Sequence, residues 1–417
     1  MRIHFVGIKG ASMSILSEIA KHNGHIVSGS DIAINGHDEN NVKGANLVVY
    51  SSAIPNDNVE LAYAKKNGIP TLSRSEFLSL LSKEYENFFC VCGCHGKTTT
   101  TAMLFSVLKR LNPTLHIGAK FNDFLGEKRL LISEACEYKK GFLSLNPDYT
   151  IFTNIDYDHP DTYKNIDEVK DAYLQFYKQS ATSFINADDK QSKFLLKRKN
   201  TISYGFSSSS EFCAQSIKPT CNGYTFDLYY KSRFLSSFVL PIKGRHNVYN
   251  SLGAIACGFA YGLGKNDIVK GIAKFSPVNR RNEFLGTIDG CDIYTDYAHH
   301  PAEITSQLSS LTSFYKKVAI IFQPHTYSRT ANLLFDFAFS LSKANYVVLI
   351  PTFASRESGE DNDNLYLALK DKVKTEKLEK EEVNDWVKQN AKNFSCICYT
   401  GAGDIDEQAR KLFAQQL

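Results

Sequence analysis

Apolar positions along the chain fall into short runs that alternate with longer stretches of helical spacing. Ile3–Gly7 is one such run, and Ser12–His22 follows it with Met13, Leu16, Ile19 and Ala20 on one helical face. Strands are predicted at His25–Ser28 and Leu47–Tyr50 and helices over Val59–Lys66 and Ser75–Lys83, before the pattern turns polar at Glu84–Asn87. A second series opens with Phe88–Cys92, a glycine loop and a helix from Lys97 to Leu111. Strands follow at Leu130–Glu134, Tyr149–Asn154 and Ser183–Asn186. Between Cys213 and Leu240 the period becomes two (Tyr224, Phe226, Leu228, Tyr230), which reads as an antiparallel insert on a parallel core. An apolar helix is expected over Asn247–Tyr261. A third series begins near Val278, with strands Ile293–Asp296, Val318–Phe322, Tyr346–Pro351 and Cys396–Thr400. Such alternation builds parallel sheets through right-handed crossovers. The expected fold is α/β in three domains: Rossmann-like at 1–85, a central domain at 86–277 with a parallel sheet plus a small antiparallel one, and Rossmann-like again at 278–417.

The length of 417 residues supports this division, because one core stops growing well before that size. With 43% apolar and 22% charged residues the chain has enough to build cores. Lys+Arg 48 against Asp+Glu 44 is too even to mark a nucleic-acid partner. Ten cysteines are too sparse for a disulfide scaffold, no apolar run is long enough for a membrane span, and MRIHFVGIKGAS lacks signal-peptide anatomy. A soluble cytoplasmic protein is expected, with no membrane insertion, as a monomer or weak homodimer.

The strongest chemical signal is Gly93-Cys94-His95-Gly96-Lys97-Thr98-Thr99 after the strand Phe88–Cys92. Glycines let backbone N–H groups wrap a polyphosphate, a helix N-terminus adds positive potential, Lys97 can bridge phosphate oxygens, and the Thr98 hydroxyl can ligate Mg²⁺. Gly93 and Gly96 bracket two residues where the general phosphate loop has four between Gly and Gly-Lys. The competing reading is a helix start whose threonines merely cap and solvate the first turn. Cys90, Cys92, Cys94 and His95 have no matching pair at zinc-site spacing, so buried thiols are expected rather than a metal cluster.

Gly-x-His-Gly-Lys-Thr-Thr-Thr-Thr resembles the ATP loop of the Mur ligases, the ATP-dependent amide ligases of peptidoglycan synthesis. The resemblance runs nearly end to end, is nearest to the members that join L-alanine to UDP-N-acetylmuramic acid, and looks like the shorter, Gram-positive-type branch of these. It implies ATP and Mg²⁺ as cofactors. Members more often have Thr where this chain has Cys94, and backbone rather than side chain is expected to face the ligand there. Glu134-Ala-Cys-Glu137 and Thr153-Asn154-Ile-Asp156-Tyr-Asp158-His159-Pro-Asp161 resemble the family's acidic strand ends. The resemblance puts Thr98 on one metal and Glu134 or Glu137, the second favoured, with His159 on the other. Gly244-Arg245-His246-Asn247-Val-Tyr-Asn250 resembles the adenine and ribose contact, carried onto Asn247 and Asn250, with simple helix capping by Asn247 the competing reading. In Arg280-Arg281-Asn-Glu283, Arg281 is expected at the nucleotide, against a solvated basic linker.

Asp296-Tyr297-Ala-His299-His300-Pro and Phe322-Gln-Pro-His325-Thr-Tyr-Ser-Arg329 close what read as neighbouring strands and resemble the amino-acid pocket, with Tyr297, His299, His325 and Arg329 as contacts. Many members carry a second Arg where this chain has Thr326. Gly7-Ile-Lys-Gly10-Ala-Ser12-Met13, Asp31, the Ser52-Ala53-Ile54 turn and Arg74 resemble the UDP-substrate site, against an NAD-type domain. Lys97, His159, His299 and Arg329 are the expected catalytic residues. The implied chemistry is phosphorylation of a carboxylate by ATP, then attack by an amine, with catalysis by positioning and charge neutralisation. Rival readings are a ligase adding a preformed tripeptide, a folate polyglutamate ligase, a P-loop NTPase switch, and a nucleotide-binding regulator without catalysis.

Overall fold

The computed structural model describes every residue except 120, 160–161, 356, 360–362 and 415–417. Asp161, the last residue of the second acidic motif, is therefore outside the described residues. The chain forms two compact units: Met1–Lys218, Thr225–Pro241 and Val248–Phe275 in the first, and Pro219–Tyr224, Ile242–Asn247 and Ser276–Leu417 in the second. No described helix is long and apolar enough to cross a membrane.

The first unit carries two sheets. Strands β1 (Arg2–Val6), β2 (Ile26–Ser30), β3 (Leu47–Tyr50) and β4 (Thr71–Ser73) make a parallel sheet in the order β2-β1-β3-β4. Because β2 and β3 flank β1 on opposite sides, the chain reverses direction across the sheet at β1. The crevice at the carboxyl ends of β1 and β3 is where such sheets bind ligands. Phe5 stacks edge-on against Phe77 (centroids 5.4 Å apart), fixing helix Arg74–Ser82 on this sheet.

The second sheet contains β5 (Asn87–Cys92), β6 (Thr114–His116), β7 (Leu130–Glu134), β8 (Tyr149–Phe152), β9 (Thr182–Asn186), β10 (Thr201–Gly205), β11 (Phe212–Thr220), β12 (Gly223–Tyr230) and β13 (Arg233–Leu240). Its order is β13-β12-β11-β10-β9-β8-β5-β7-β6. The alternating strands predicted between Cys213 and Leu240 are present. They join the parallel part as one continuous sheet, through a short parallel pairing of Tyr204–Gly205 with Phe212–Cys213. Connections of two residues between β11, β12 and β13 allow only antiparallel neighbours. Here β5 is the reversal strand, between β7 and β8. Helix Lys97–Leu108, which leaves β5, is buried nearly all round, including Thr98, Thr99, Thr100 and Thr101. The threonines therefore do not solvate the first turn.

The second unit holds β14 (Glu283–Ile288), β15 (Cys291–Asp296), β16 (Val318–Phe322), β17 (Tyr346–Leu349), β18 (Thr375–Lys377) and β19 (Cys396–Thr400), in the order β14-β15-β19-β16-β17-β18. Period-two side-chain alternation divides β16 between two cores. Val318, Ile320 and Phe322 pack with Ile304, Leu308 and Phe337 on one face, while Ala319 and Ile321 pack with Trp386, Ile405 and Ala409 on the other. Both faces of the sheet are thus covered by helices, as a mostly parallel sheet requires. The β15 and β16 ends, expected to be neighbours, are separated by β19. Strand β19 lies last in the chain, so its insertion leaves no local mark on either motif.

Candidate functional site

The turn after β5 is specified residue by residue. Gly93 has φ 140°, and a Cβ there would lie 1.9 Å from Thr153 Oγ1; Gly96 caps the helix at φ 80°, where a Cβ would lie 2.7 Å from Asn250 Oδ1. Both positions accept only glycine. Thr153 Oγ1 donates to the His95 carbonyl (2.7 Å), and Asn154 holds the same residue at both ends, accepting from His95 N (2.9 Å) and donating to its carbonyl (2.8 Å). The end of β8 therefore shapes the turn, and Asn250 closes on it from helix His246–Ala260.

Cys94 keeps its side chain off the ligand face of the turn, as expected. Its side chain points inward, 6% exposed, with Sγ 3.1 Å from both the carbonyl and the amide of Asp156 and 3.7 Å from Tyr173 Oη. Burial, with Glu137 adding to it, pushes the thiol pKa well above its ordinary value, so it stays protonated. The side chain joins the turn to the β8 end, as a threonine of similar size would.

Lys97 Nζ folds back across the turn, donating to the carbonyls of Gly93 (2.5 Å) and Cys94 (3.1 Å) and to Glu137 Oε1 (2.9 Å). Burial alone would lower the lysine pKa, but Glu137 outweighs it and holds the ammonium above its ordinary value. Burial likewise raises the Glu137 pKa, and Lys97 and His159 outweigh it, so the carboxyl ends below its usual range. His159 Nε2 is 3.6 Å from Glu137 Oε1 and 3.7 Å from Asp158 Oδ2, and its backbone is held at φ 57° by its amide's bond to Asp158 Oδ1 (2.7 Å). Glu137, Asp158 and His159 offer three ligand atoms within 4.8 Å of one another. Among the described residues, Glu137 Oε2 is buried and makes no hydrogen bond. A carboxylate oxygen left orphaned inside a cluster of hard donors suits a divalent cation. Glu134 is held apart from the cluster's contacts, with Oε1 accepting from Gly118 N (3.2 Å). Of the two glutamates, Glu137 meets His159; Asp158 is the cluster member that sequence reasoning left out, although it directly precedes the histidine.

At the reversal point of the first sheet, Gly7 (φ 83°) and Gly10 open helix Ala11–His22, and Ile54 packs 3.4 Å from where a Gly7 Cβ would stand. Asp31 accepts from the amides of Lys9 (3.0 Å) and Ala33 (3.1 Å), fixing the two loops to each other. The Ser52 carbonyl accepts from Lys139 Nζ (3.1 Å), and Ala53 N donates to Ser51 Oγ (3.3 Å). Arg74 Nη1 donates to Ser12 Oγ (2.8 Å). Met13 is in the core at 2% exposure, so only its backbone can face a ligand.

In the second unit, glycines bring the β15 and β16 ends together over β19. Gly401 has φ 152°, and a Cβ on Gly403 would lie 2.3 Å from Gln323 Oε1. The His299 and His325 rings consequently lie 5.7 Å apart, and Tyr297 lies 5.3 Å from His299. The Gly401-Ala-Gly403 spacing after the last strand was the available signal for this approach. His299 Nδ1 is 3.0 Å from the Tyr297 carbonyl, which can only accept, so the proton sits on Nδ1 and Nε2 keeps its lone pair. Burial lowers the His299 pKa, and burial with His299 and Arg329 nearby lowers that of His325 to about 4. Arg329 Nη1 is buried without a hydrogen-bond partner among the described residues. Arg281 lies over the Tyr297 ring at 5.0 Å, while Arg280 binds the Gly401 and Gly403 carbonyls (2.5 and 2.9 Å). Glu283 is held by Arg410 in a two-pronged ion pair (2.7 and 3.2 Å). Thr326 sits at φ 67°. Asn247, in the first turn of its helix rather than at the cap, donates to the Lys243 carbonyl (2.8 Å).

Comparison with known proteins gives three matching family models: "Mur ligase family, catalytic domain" over residues 2–86, "Mur ligase middle domain" over 91–258, and "Mur ligase, glutamate ligase domain" over 280–403. A UDP-N-acetylmuramate–L-alanine ligase of Caldicellulosiruptor saccharolyticus is 40% identical, covering 97% of each chain. One from Caldanaerobacter subterraneus subsp. tengcongensis is 35% identical over 99% of this chain and 97% of its own. The crystal structure of the UDP-N-acetylmuramate–alanine ligase of Thermotoga maritima superposes with a TM-score of 0.85 at 24% identity, covering 100% of this chain and 99% of the other.

Proposed function

The chain belongs to the Mur ligase family, and from that premise we propose how its residues carry out the family's chemistry. The protein is an ATP-dependent ligase that joins L-alanine to UDP-N-acetylmuramate in peptidoglycan synthesis. The turn Gly93–Thr99 holds the ATP phosphates on its amides, with Asn250 beside it and Asn247 and Arg281 as further nucleotide contacts. Lys97 exchanges its carbonyl partners for phosphate oxygens and neutralises charge as the γ-phosphoryl moves to the lactyl carboxylate of the sugar nucleotide. That transfer gives an acyl phosphate and ADP. The residues at Thr98, Glu137 and His159 fit Mg²⁺, which supplies charge neutralisation at the phosphates when bound; Asp158 completes the second set. Gly7, Gly10, Ser12, Met13 (through its backbone), Asp31, Ser52–Ile54 and Arg74 hold the UDP portion.

Tyr297, His299, His325 and Arg329 hold L-alanine. The buried donor of Arg329 pairs with a carboxylate, and Nε2 of His299 accepts a proton from the amine as its nitrogen attacks the acyl carbon. Phosphate then leaves from the tetrahedral adduct. The domains are taken as 1–85, 86–277 and 278–417, the site as cytoplasmic, and the protein as a monomer or weak homodimer. The Lys97–Glu137 pair with its orphaned carboxylate oxygen carries this reading most directly. Phosphate release with ATP, Mg²⁺, UDP-N-acetylmuramate and L-alanine tests it, each omitted in turn: release should require all four. Release that ignores the sugar nucleotide and the amino acid would mark an NTPase instead.

A further inference from the structure

A chain of hydrogen bonds runs from the first sheet to the second, inside the first unit. Arg74 Nη1 donates to Ser12 Oγ (2.8 Å), Ser12 Oγ lies 2.8 Å from His116 Nε2, His116 Nδ1 lies 2.8 Å from Ser133 Oγ, and Ser133 Oγ donates to the Glu134 carbonyl (2.9 Å). The two ends set every proton between them. A guanidinium can only donate and a carbonyl can only accept. Ser12 therefore gives its hydroxyl proton to Nε2, and His116 gives its Nδ1 proton to Ser133. The imidazole is 1% exposed; burial, with the Arg74 charge, pushes its pKa down to about 3, so it stays neutral and Nε2 remains an acceptor.

We propose that His116 is a positioning residue that holds the Gly10–Ser12 helix start in register with the acidic strand end Glu134–Glu137. The role rests on the reading above, in which the first turn binds the sugar nucleotide and the second lies beside the phosphate loop. Strand β6 is three residues long and at the sheet edge, paired in register with β7 through His116 and Ser133. The Lys128–Glu84 tie between the two sheets (3.0 Å) sits just ahead of β5 and β7, at their amino ends. On the ligand side the spacing is held by the His116 chain, together with Lys139 on the Ser52 carbonyl. Since the Ser12 hydroxyl proton is taken by His116, a bound diphosphate is left with the Gly10–Met13 amides and the Arg74 charge. A broken chain would let that turn, and the phosphoryl acceptor bound on it, drift from the phosphate loop that holds the donor.

Steady-state kinetics of the full chain test this. His116→Phe keeps ring volume and removes both bonds; Ser133→Ala removes the second. Each is expected to raise KM for UDP-N-acetylmuramate about ten-fold while KM for ATP and for L-alanine stays within two-fold. The double variant should be no worse than His116→Phe by more than two-fold, because the chain is already cut. Unchanged KM for the sugar nucleotide, a parallel rise in all three constants, or multiplying effects in the double variant would each overturn the proposal. Should His116→Phe not fold, Ser133→Ala decides alone. A wild type that did not turn over these substrates would refute the reaction reading. Amide exchange at Ala11–Ser14 would then decide the positioning role: faster in the variants supports it, unchanged overturns it.

Discussion

Removing the Glu137 carboxylate separates the two glutamates that the sequence left as alternatives. In Glu137→Ala the Lys97 ammonium loses its anionic partner at 2.9 Å while it stays in a largely buried turn. Breaking one side of a buried ion pair costs about 3–5 kcal/mol. Lys97 keeps two carbonyl acceptors and some solvent contact, so about 3 kcal/mol is expected. For a unit of this size that lowers the melting transition by roughly 6–12 °C. Glu134→Ala loses the bond from Gly118 N, about 1 kcal/mol, and shifts melting by roughly 2–4 °C. Activity should diverge further. Loss of a charge-stabilising group at the phosphoryl site is expected to cut turnover about a hundred-fold or more in Glu137→Ala and to move the Mg²⁺ titration to higher concentration. Differential scanning fluorimetry and phosphate release across a Mg²⁺ series measure both. Near-wild-type melting and turnover in Glu137→Ala, with Glu134→Ala inactive, would refute the assignment.

Lys97→Ala should lose at least a thousand-fold in turnover. Because Glu137 titrates below its ordinary pKa in the fold, the stability it contributes is present above the unfolded value and fades as pH falls; the gap between wild type and Lys97→Ala in denaturant titrations should therefore be widest near pH 7 and shrink below about pH 4.5. Gly93→Ala places a methyl group against Thr153 Oγ1, which cannot retreat without losing its bonds to Cys92 and His95, so a loss of about 3 kcal/mol and of ATP-dependent turnover is expected by melting and kinetics. Glu60 is fully buried, which raises its pKa, yet His4, Ser30, Asn41 and the Asp38 amide bring it down to about 2. Its stabilisation should be intact above about pH 4.5 and drain away toward pH 2, and Glu60→Gln should flatten that acid limb in unfolding measurements. His299→Ala should raise KM for L-alanine about ten-fold with KM for ATP unchanged; equal rises in both would count against its place at the amine.

The parallel sheets were legible because their central strands are near-continuous apolar runs: Leu47–Tyr50, Leu130–Glu134, Val318–Phe322 and Cys396–Thr400 appear with the predicted bounds. Of the strands that escaped, β4, β6, β14 and β18 lie at sheet edges, where half-exposure blurs the pattern, and β10 lies inside its sheet but is half-buried over Thr201–Ser203, where polar residues break the apolar run. Missing β6 meant missing His116, whose partners are 104 and 17 residues away.

What the linear order of residues determined by itself is local: a glycine turn after a buried strand, opening on Lys97 and a threonine-rich helix, needs only neighbours in the chain to be written down. Which carboxylate reaches Lys97, what the Cys94 thiol packs against, and how His299 comes to lie beside His325 depended on contacts dozens of residues apart. Those contacts follow strand order, and strand order follows from burying all the apolar faces at once, a condition no single segment can express.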